Sequence, residues 1–588
     1  MAKLTFAKRS FSAGELSPRI CQSRTDLQIH GHCFSGAINL VPFSTGGLSH
    51  RPATIAYPEL NLTSDASRLI SIYLVDDKHM LLIFGDKTLT FVLVDGGKSP
   101  KVIKIVKTPY SKEQADQLDY AMSGNLMVLV HRMHRPYQIE IATDGPDFSP
   151  MDFSPPPWLG ERIVEGNVVE AKLTVTSLIS EENYKVVSDT DVFKTTDLGR
   201  RIRLGFLPKA WKANHEYSEN SYISMGGKVY QSVTRGITSD LWNDKSTATF
   251  IEDGSISWKV VSSFQQFSFS KKESQSTVGD ISPYYVWGSI VRVLSNKEVV
   301  IGLNTAFIIQ DNQPIVHWNL SAWGQKEGYP EHVTFYQSRL VFSGTGTDYT
   351  SLYFSEYGKF NSFSASAKYN TPDYLEALSV AVTDDIVREI RWIAPFGTGL
   401  LIGCDSSLWL FCIQLDQGFN FVLRKISGSG VSSCSPLSVG ESLFFVCGAG
   451  RRIKAIDGNI EQGFRFTDIT QFVDHLFTFR IKQLVFQADP HSIVWVIDRS
   501  KPSDLRGYNL LGCRFSSERE TDFAWHAHRI STPSHLLSLA TSPSLVRGET
   551  DVWILVARPD GASDQVLLER LGRFHHAHNC HADGAVLG

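Results

Sequence analysis

Gly328-Tyr-Pro-Glu-His-Val-Thr-Phe-Tyr-Gln-Ser-Arg-Leu-Val-Phe-Ser-Gly-Thr345, followed by Leu352-Tyr-Phe-Ser-Glu-Tyr-Gly-Lys-Phe-Asn-Ser-Phe363, decides the fold. Val333, Phe335, Leu340, Val341 and Phe342 fit one short strand, residues 351–355 fit a second, and residues 344–350 supply turn chemistry between them. A hairpin this short cannot bury its apolar face alone, so it predicts partners of similar make-up on both sides.

Those partners are present. Residues 70–75, 80–84, 89–94 and 102–106 read as strands separated by Asp76-Asp-Lys, Gly85-Asp-Lys and Gly96-Gly-Lys, a meander the size of a propeller blade. Residues 118–122, 126–130 and 137–141 repeat the rhythm, with residues 132–136 as a loop. Strands at 284–294, 298–303 and 306–310 precede the opening hairpin; 390–394, 399–403, 408–413, 421–426, 442–447 and 453–456 follow it, then 481–487, 493–497, 510–515 and 552–556. Only residues 373–378 and 468–477 read as helical. Period-two patterning therefore predicts an all-β chain, a β-propeller of about six blades.

Asp144-Gly-Pro-Asp-Phe-Ser-Pro150 and Ser154-Pro-Pro-Pro-Trp158 break regular structure, because proline removes ladder donors. The more polar stretch after them reads as an inserted small β module, with aromatic residues standing in for a larger core. The expected organisation is an extended arm over 1–55, first blades over 56–155, the inserted module over 156–268, further blades over 269–480, and a closing β segment with a His-rich tail over 481–588. The arm is rich in Gly, Ser and Pro. Yet Phe6, Phe11, Leu16, Leu27, Phe34, Ile38, Leu40, Val41 and Phe43 are too many apolar side chains for a solvated tail, so it is expected to dock on the propeller or on a neighbouring protein.

Lys plus Arg number 57 and Asp plus Glu 61, a net charge of −4, which gives no global field toward nucleic acid or an anionic membrane. The start lacks a secretory signal and no run is long enough to span a membrane, so synthesis in cytoplasm without stable membrane association is expected. Eight scattered cysteines without Cys-x-x-Cys spacing read as reduced, packed thiols.

No catalytic constellation or cofactor site is read. No Gly-x-Ser-x-Gly elbow accompanies His131, His134, His317, His332, His475, His491, His526 or His528. The acidic pairs Asp384-Asp385 and Glu181-Glu182 sit at adjacent positions that face opposite ways on a strand, and Gly428-Ser-Gly-Val lacks the lysine of a phosphate loop. Lys101, Lys104 and Lys107 suit an exposed edge strand. His575, His576, His578, Cys580 and His581 have the chemistry zinc prefers, but a structural site draws its ligands from an ordered frame, and a mobile tail is the expectation.

Phe11-Ser-Ala-Gly-Glu-Leu-Ser-Pro18, Arg24-Thr-Asp26, Asn39 and Gly46-Gly-Leu-Ser-His-Arg-Pro52 together resemble the opening of the tail nozzle (tail tubular protein B) family of short-tailed bacteriophages. Leu129-Val-His131 with Arg135-Pro136, Gly328-Tyr-Pro330 with Arg339-Leu340, Trp392, Gly399-Leu-Leu-Ile-Gly403, Asp468-Ile-Thr470 with His475-Leu476, and Ile493-Val-Trp495 continue the likeness, while Ala53 stands where the family has glycine. The resemblance implies a structural, non-enzymatic virion protein of the tail: a homo-hexamer below an adaptor (tail tubular protein A-like) ring, near tail fibres or spikes, with double-stranded DNA passing through. It marks Phe11, Gly14, Glu15, Leu16, Pro18, Arg24, Asp26, Gly46, Gly47, Arg51 and Pro52 as assembly residues. The alternative is a receptor- or carbohydrate-binding propeller, with Trp211, Tyr217, Tyr222, Tyr230 and Trp258 stacking on sugars. A glycoside hydrolase, a third reading, requires carboxylates converging across blades.

Overall fold

The computed structural model describes all residues except 1–7, 9, 75–77, 97, 143–144, 161, 165–166, 181–182, 207–208, 220, 226–227, 243–249, 261–283, 304–313, 364–373, 385, 415–419, 501–506, 516–522, 531–533, 545–547, 561–562, 575–582 and 584–588. Two compact units form: Met1–Ser149 with Thr383–Cys412 and Val422–Gly588, and Pro150–Val382 with Ile413–Phe421.

The first unit is built from antiparallel meanders in a propeller arrangement. Blade 1 is Arg68–Tyr73, Lys78–Gly85, Thr88–Asp95 and Lys101–Lys107; blade 2 is Asp119–Ser123, Leu126–His131, His134–Ala142 and Gly145–Pro150. Blade 3 is Ile390–Phe396, Gly399–Cys404, Leu408–Gln414 and Asn420–Ser427; blade 4 is Leu437–Val439, Ser442–Cys447, Arg452–Asn459 and Gly463–Asp468. Blade 5 is Ile481–Gln487, Ile493–Asp498, Leu510–Phe515 and Phe523–His528. Blade 6 takes three strands from His535–Ser544, Glu549–Asp560 and Ser563–Leu571 and its fourth from Thr54–Ala56.

Strand alternation builds the cores between blades. In blade 5, Val494 and Val496 pack with Val446 and Ile453 of blade 4, while Ile493, Trp495 and Ile497 pack with Leu539 and Val552 of blade 6. Both faces are thus buried, which is why the sequence there is an unbroken apolar run. Similar shared cores join blades 6 and 1, 1 and 2, and 3 and 4. In blade 3, Gly403 lets the Trp392 ring lie flat on the backbone, since a Cβ there would stand 2.4 Å from Trp392 Cε2. Gly403→Ala is expected to lower stability by about 1–3 kcal/mol, read as a fall in urea midpoint at unchanged slope.

The second unit holds a six-stranded sheet of Leu173–Ser180, Asn183–Ser188, Arg201–Phe206, Tyr284–Ser295, Glu298–Leu303 and His317–Leu320, with a core around Trp318. Between Arg201–Phe206 and Tyr284–Ser295 the chain makes a five-stranded sheet, Lys209–Ala210 to Ile256–Val260, cored by Trp258 and Tyr230. A four-stranded meander of His332–Tyr336, Arg339–Ser343, Ser351–Phe354 and Leu378–Ala381 completes it.

Several expectations are corrected here. Residues 333–342 form two strands, because Gln337 (φ 45°) and Ser338 (φ 57°) both take the left-handed conformation of a two-residue hairpin turn. Residues 284–303, expected as blade strands, pair instead with Arg201–Phe206 and Asn183–Ser188, so the sheet begun before residue 268 is completed after it. Residues 145–150 do form a strand despite Pro146 and Pro150, since it is the last of its blade and proline is tolerated at an edge. Residues 468–477 give a strand end, turns and the short 3-10 segment Asp474–Leu476, while residues 374–378 are turn and strand start. Residues 306–310, Asp385 and the Glu181-Glu182 pair lie outside the described residues.

Candidate functional site

Of the arm residues singled out by the sequence, Gly14, Glu15 and Leu16 converge on the edge of blade 5. Gly14–Glu15 runs parallel to Phe523–His528, and Cys33–Phe34 runs parallel beyond it, so the arm extends the sheet. Gly14 has φ +71°, and a Cβ would stand 2.6 Å from both Trp525 N and Trp525 O. Only glycine fits there. The buried Glu15 carboxylate meets His475 Nε2 at 3.0 Å, Ser17 N donates to Phe472 O at 2.8 Å, and Leu16 shares a core with Leu476 and Trp525. Trp525 Nε1 in turn donates to Ile469 O at 2.8 Å. Two motifs far apart in sequence, residues 11–18 and 468–476, are therefore one contact.

Pro18 opens the helix Pro18–Ser23, where its missing N–H is no loss. Phe11 N donates to Gly46 O at 2.9 Å, and Gly46, at φ +97°, lies so close to Ser10 that a Cβ would be 2.6 Å from Ser10 Cβ. Gly47 O accepts from Phe43 N at 2.9 Å, but a side chain at Gly47 would meet open space. Pro52 is buried, and so is Arg51, whose guanidinium pairs with Asp583 at 2.9 Å and donates to Arg529 O at 3.3 Å. Ala53 is buried outside the left-handed region, so alanine carries no backbone strain there. Arg24 and Asp26 stand apart from this packing: they form an exposed two-pronged pair with both bonds at 2.8 Å, and the Arg24 hydrogen bonds hold the Asp26 carboxyl down to about 2.

A clamp lies next to the arm. Glu569, fully buried, accepts from Thr54 Oγ1 at 2.6 Å and from Arg558 Nε at 2.6 Å, which ties the fourth strand of blade 6 to the third.

A polar cluster that the sequence reading missed joins the first strands of blades 5, 6 and 1. Ser538 Oγ accepts from Leu69 N at 3.1 Å and donates to Gln483 Oε1 at 3.1 Å. Lys482 Nζ lies 2.8 Å from Asp116 Oδ1 and donates to Leu537 O at 2.6 Å, while Arg68 Nη1 donates to Asp116 O at 2.8 Å. Burial pushes the Lys482 ammonium down, Asp116 partly opposes this, and Arg68 and Arg499 add to the downward push. Asp116 is positioned by the helix Lys112–Gln117, capped reciprocally by Ser111 and Gln114. The Ser-x-x-Gln spacing was the available signal.

The histidines fall into two pairs and scattered singles. His131 and His134 surround the buried Tyr110, and burial, with His134 nearby, pushes His131 down to about 4. His526 Nδ1 contacts His528 Nε2 in a fully buried pair against Trp495, in space left by Gly512. Their spacing in His-Ala-His puts both on one strand face. Among the described residues no group of three His, Cys, Asp or Glu stands close enough to hold a metal. His575, His576, His578, Cys580 and His581 all lie outside the described residues.

In the small module, Asp253 accepts from Trp211 Nε1 at 2.8 Å and Trp258 Nε1 at 3.1 Å. Trp258 and Tyr230 are buried, so they have no face to offer a sugar. Among the described residues no helix is long and apolar enough to cross a membrane.

No protein family and no curated protein matches the sequence. Among solved structures, a luciferin-regenerating enzyme is similar at 9% identity over 42% of this chain and 92% of its own, with TM-score 0.19. Apo AztD from Citrobacter koseri is similar at 11% identity over 83% of this chain and 93% of its own, with TM-score 0.29.

Proposed function

We propose that the chain is a structural, non-enzymatic subunit of a phage tail nozzle, assembling as a homo-hexamer below an adaptor ring, with tail fibres or spikes as neighbours and double-stranded DNA in transit. The observation that supports this reading is the use made of the resemblance residues. Gly14, Glu15, Leu16 and His475 fix the arm to the edge of blade 5 and to the end of blade 4, Gly46 closes a turn within the arm, and Arg51 anchors its end, a mechanical role. A near-neutral balance of −4 also suits a wall past which a polyanion slides.

Particle images of the purified chain mixed with an adaptor ring test this: complete six-fold rings are the expected result, and a chain that stays monomeric and joins no tail overturns it. Binding to double-stranded DNA should be no tighter than about 1 μM at ~0.15 M salt. Arg24→Ala separates folding from assembly. The exposed pair adds little to folding stability, so the variant's urea midpoint should match the parent while ring yield falls.

A further inference from the structure

The arm brings two thiols into contact. Cys21, in the last turn of Pro18–Ser23, and Cys33, which opens Cys33–Phe34, have their Sγ atoms 3.4 Å apart. Cys21 is half-buried and Cys33 fully buried, and Lys8 Nζ lies 3.4 Å from Cys33 Sγ. The other described cysteines are placed differently: Cys404, Cys412, Cys434 and Cys513 are buried on blade strands or between blades, and Cys447 is half-buried at the end of Ser442–Cys447. A disulfide needs about 2.05 Å between sulfurs, so the two Sγ atoms must close by a little over about 1 Å, a change of the size that rotation about Cα–Cβ bonds makes.

We propose that Cys21 and Cys33 form a thiol–disulfide site, oxidised by a low-molecular-weight disulfide of the glutathione class, that staples the arm helix to the strand at the edge of blade 5. Cys21, the more accessible sulfur, reacts first. Its thiolate attacks one sulfur of the small disulfide, that S–S bond breaks, and one small thiol leaves and takes up the proton Cys21 released. Cys33 Sγ then attacks Cys21 Sγ, expelling the second small thiol, which takes up the proton lost by Cys33. Two protein thiols are oxidised and one small disulfide is reduced to two thiols. Lys8 supplies positive charge beside the Cys33 thiolate as it forms. Burial, then the hydrogen bond with Cys33, pushes the Cys21 thiol up to about 11, so the first step should quicken about tenfold per pH unit below that value.

The test uses the full chain, incubated with oxidised glutathione at about pH 8.5, alkylated and digested with trypsin without reduction. Cleavage after Arg19 and Arg24, and none at Arg51 before Pro52, separates residues 20–24 from residues 25–68. The expected product is these two peptides joined by a bond that dithiothreitol removes, at least tenfold more abundant than any other cysteine pair. Cys21→Ser should leave Cys33 unmodified because it is buried, and Cys33→Ala should trap the glutathione adduct on Cys21. A parent protein that keeps glutathione on Cys21 while Cys33 alkylates freely, or that pairs either cysteine elsewhere, overturns the proposal.

Discussion

A chain lacking residues 1–45 is expected to accumulate as aggregate, with a soluble yield at least tenfold below that of the full chain. The deletion removes Leu16 and Cys33 from the core shared by blades 4 and 5, and Val41 from the core shared by blades 5 and 6. Leu16 and Val41 alone represent about 1.5–3 kcal/mol each of buried apolar surface. The backbone loses more. Gly14 no longer pairs with Trp525, Ser17 no longer donates to Phe472 O, Asn39 no longer donates to Ala527 O, and Arg514 Nη2 loses Ser12 O at 3.0 Å. Phe523–His528 becomes a bare edge over an opened apolar core, the arrangement that templates association with other chains. Several kcal/mol is a large share of the roughly 5–15 kcal/mol that holds a typical domain. Soluble yield and the thermal midpoint check this, and a soluble truncated chain melting within about 2 °C of the parent would sink it.

Acid is expected to weaken the first unit through the buried histidine pair. Burial, then Arg514 nearby, pushes His526 from 6.5 down to about 3, while burial, His526 and Arg51 push His528 well down. The unfolded chain takes up a proton near pH 6.5 and the folded His526 only near pH 3, so the unfolded state holds more protons throughout that window and stability falls as pH falls. At roughly 1.4 kcal/mol per unit, two units of acidification below pH 6.5 remove on the order of 2–3 kcal/mol through His526 alone. Arg51, which adds to the downward push on His528, is itself paired with Asp583. Urea midpoints at about pH 7.5 and about pH 4.5 measure the effect. His526→Gln, which stays neutral, should flatten the dependence, and an unchanged slope in that variant would show that the protons go elsewhere.

The blades were legible because their strands are buried on both faces. Residues 493–497 read Ile-Val-Trp-Val-Ile, and each side chain has a core to enter. The turn at Gln337-Ser338 was not, since its left-handed backbone is held by strand pairing around it and the sequence offers neither glycine nor asparagine. Residues 468–477 mimic a helix because Ile469, Val473 and Leu476 are all buried. Asp468 Oδ1 instead accepts from Thr470 N at 2.9 Å and Thr470 Oγ1 at 2.7 Å, which turns the chain. Where the arm meets blade 5, the arm motifs pointed to their own importance, but Glu15 with His475 is a pairing across most of the chain that no local pattern carries. The same holds for Asp116 with Lys482.

Blade 6 waits on time. Thr54–Ala56 finds its register only against Glu569, Arg570 and Leu571. At roughly 5–20 residues per second, the ribosome delivers that partner roughly 25–100 s after the first strand has emerged. Through nearly all of that interval the early strand and the apolar arm before it lack their blade partners, although the arm's own strands can pair with each other and blade 1 can already form behind them. The nascent chain is therefore a natural client for chaperones that hold extended apolar segments, and a transcript cut short before residue 569 should yield protein that is degraded or aggregated however complete its other blades.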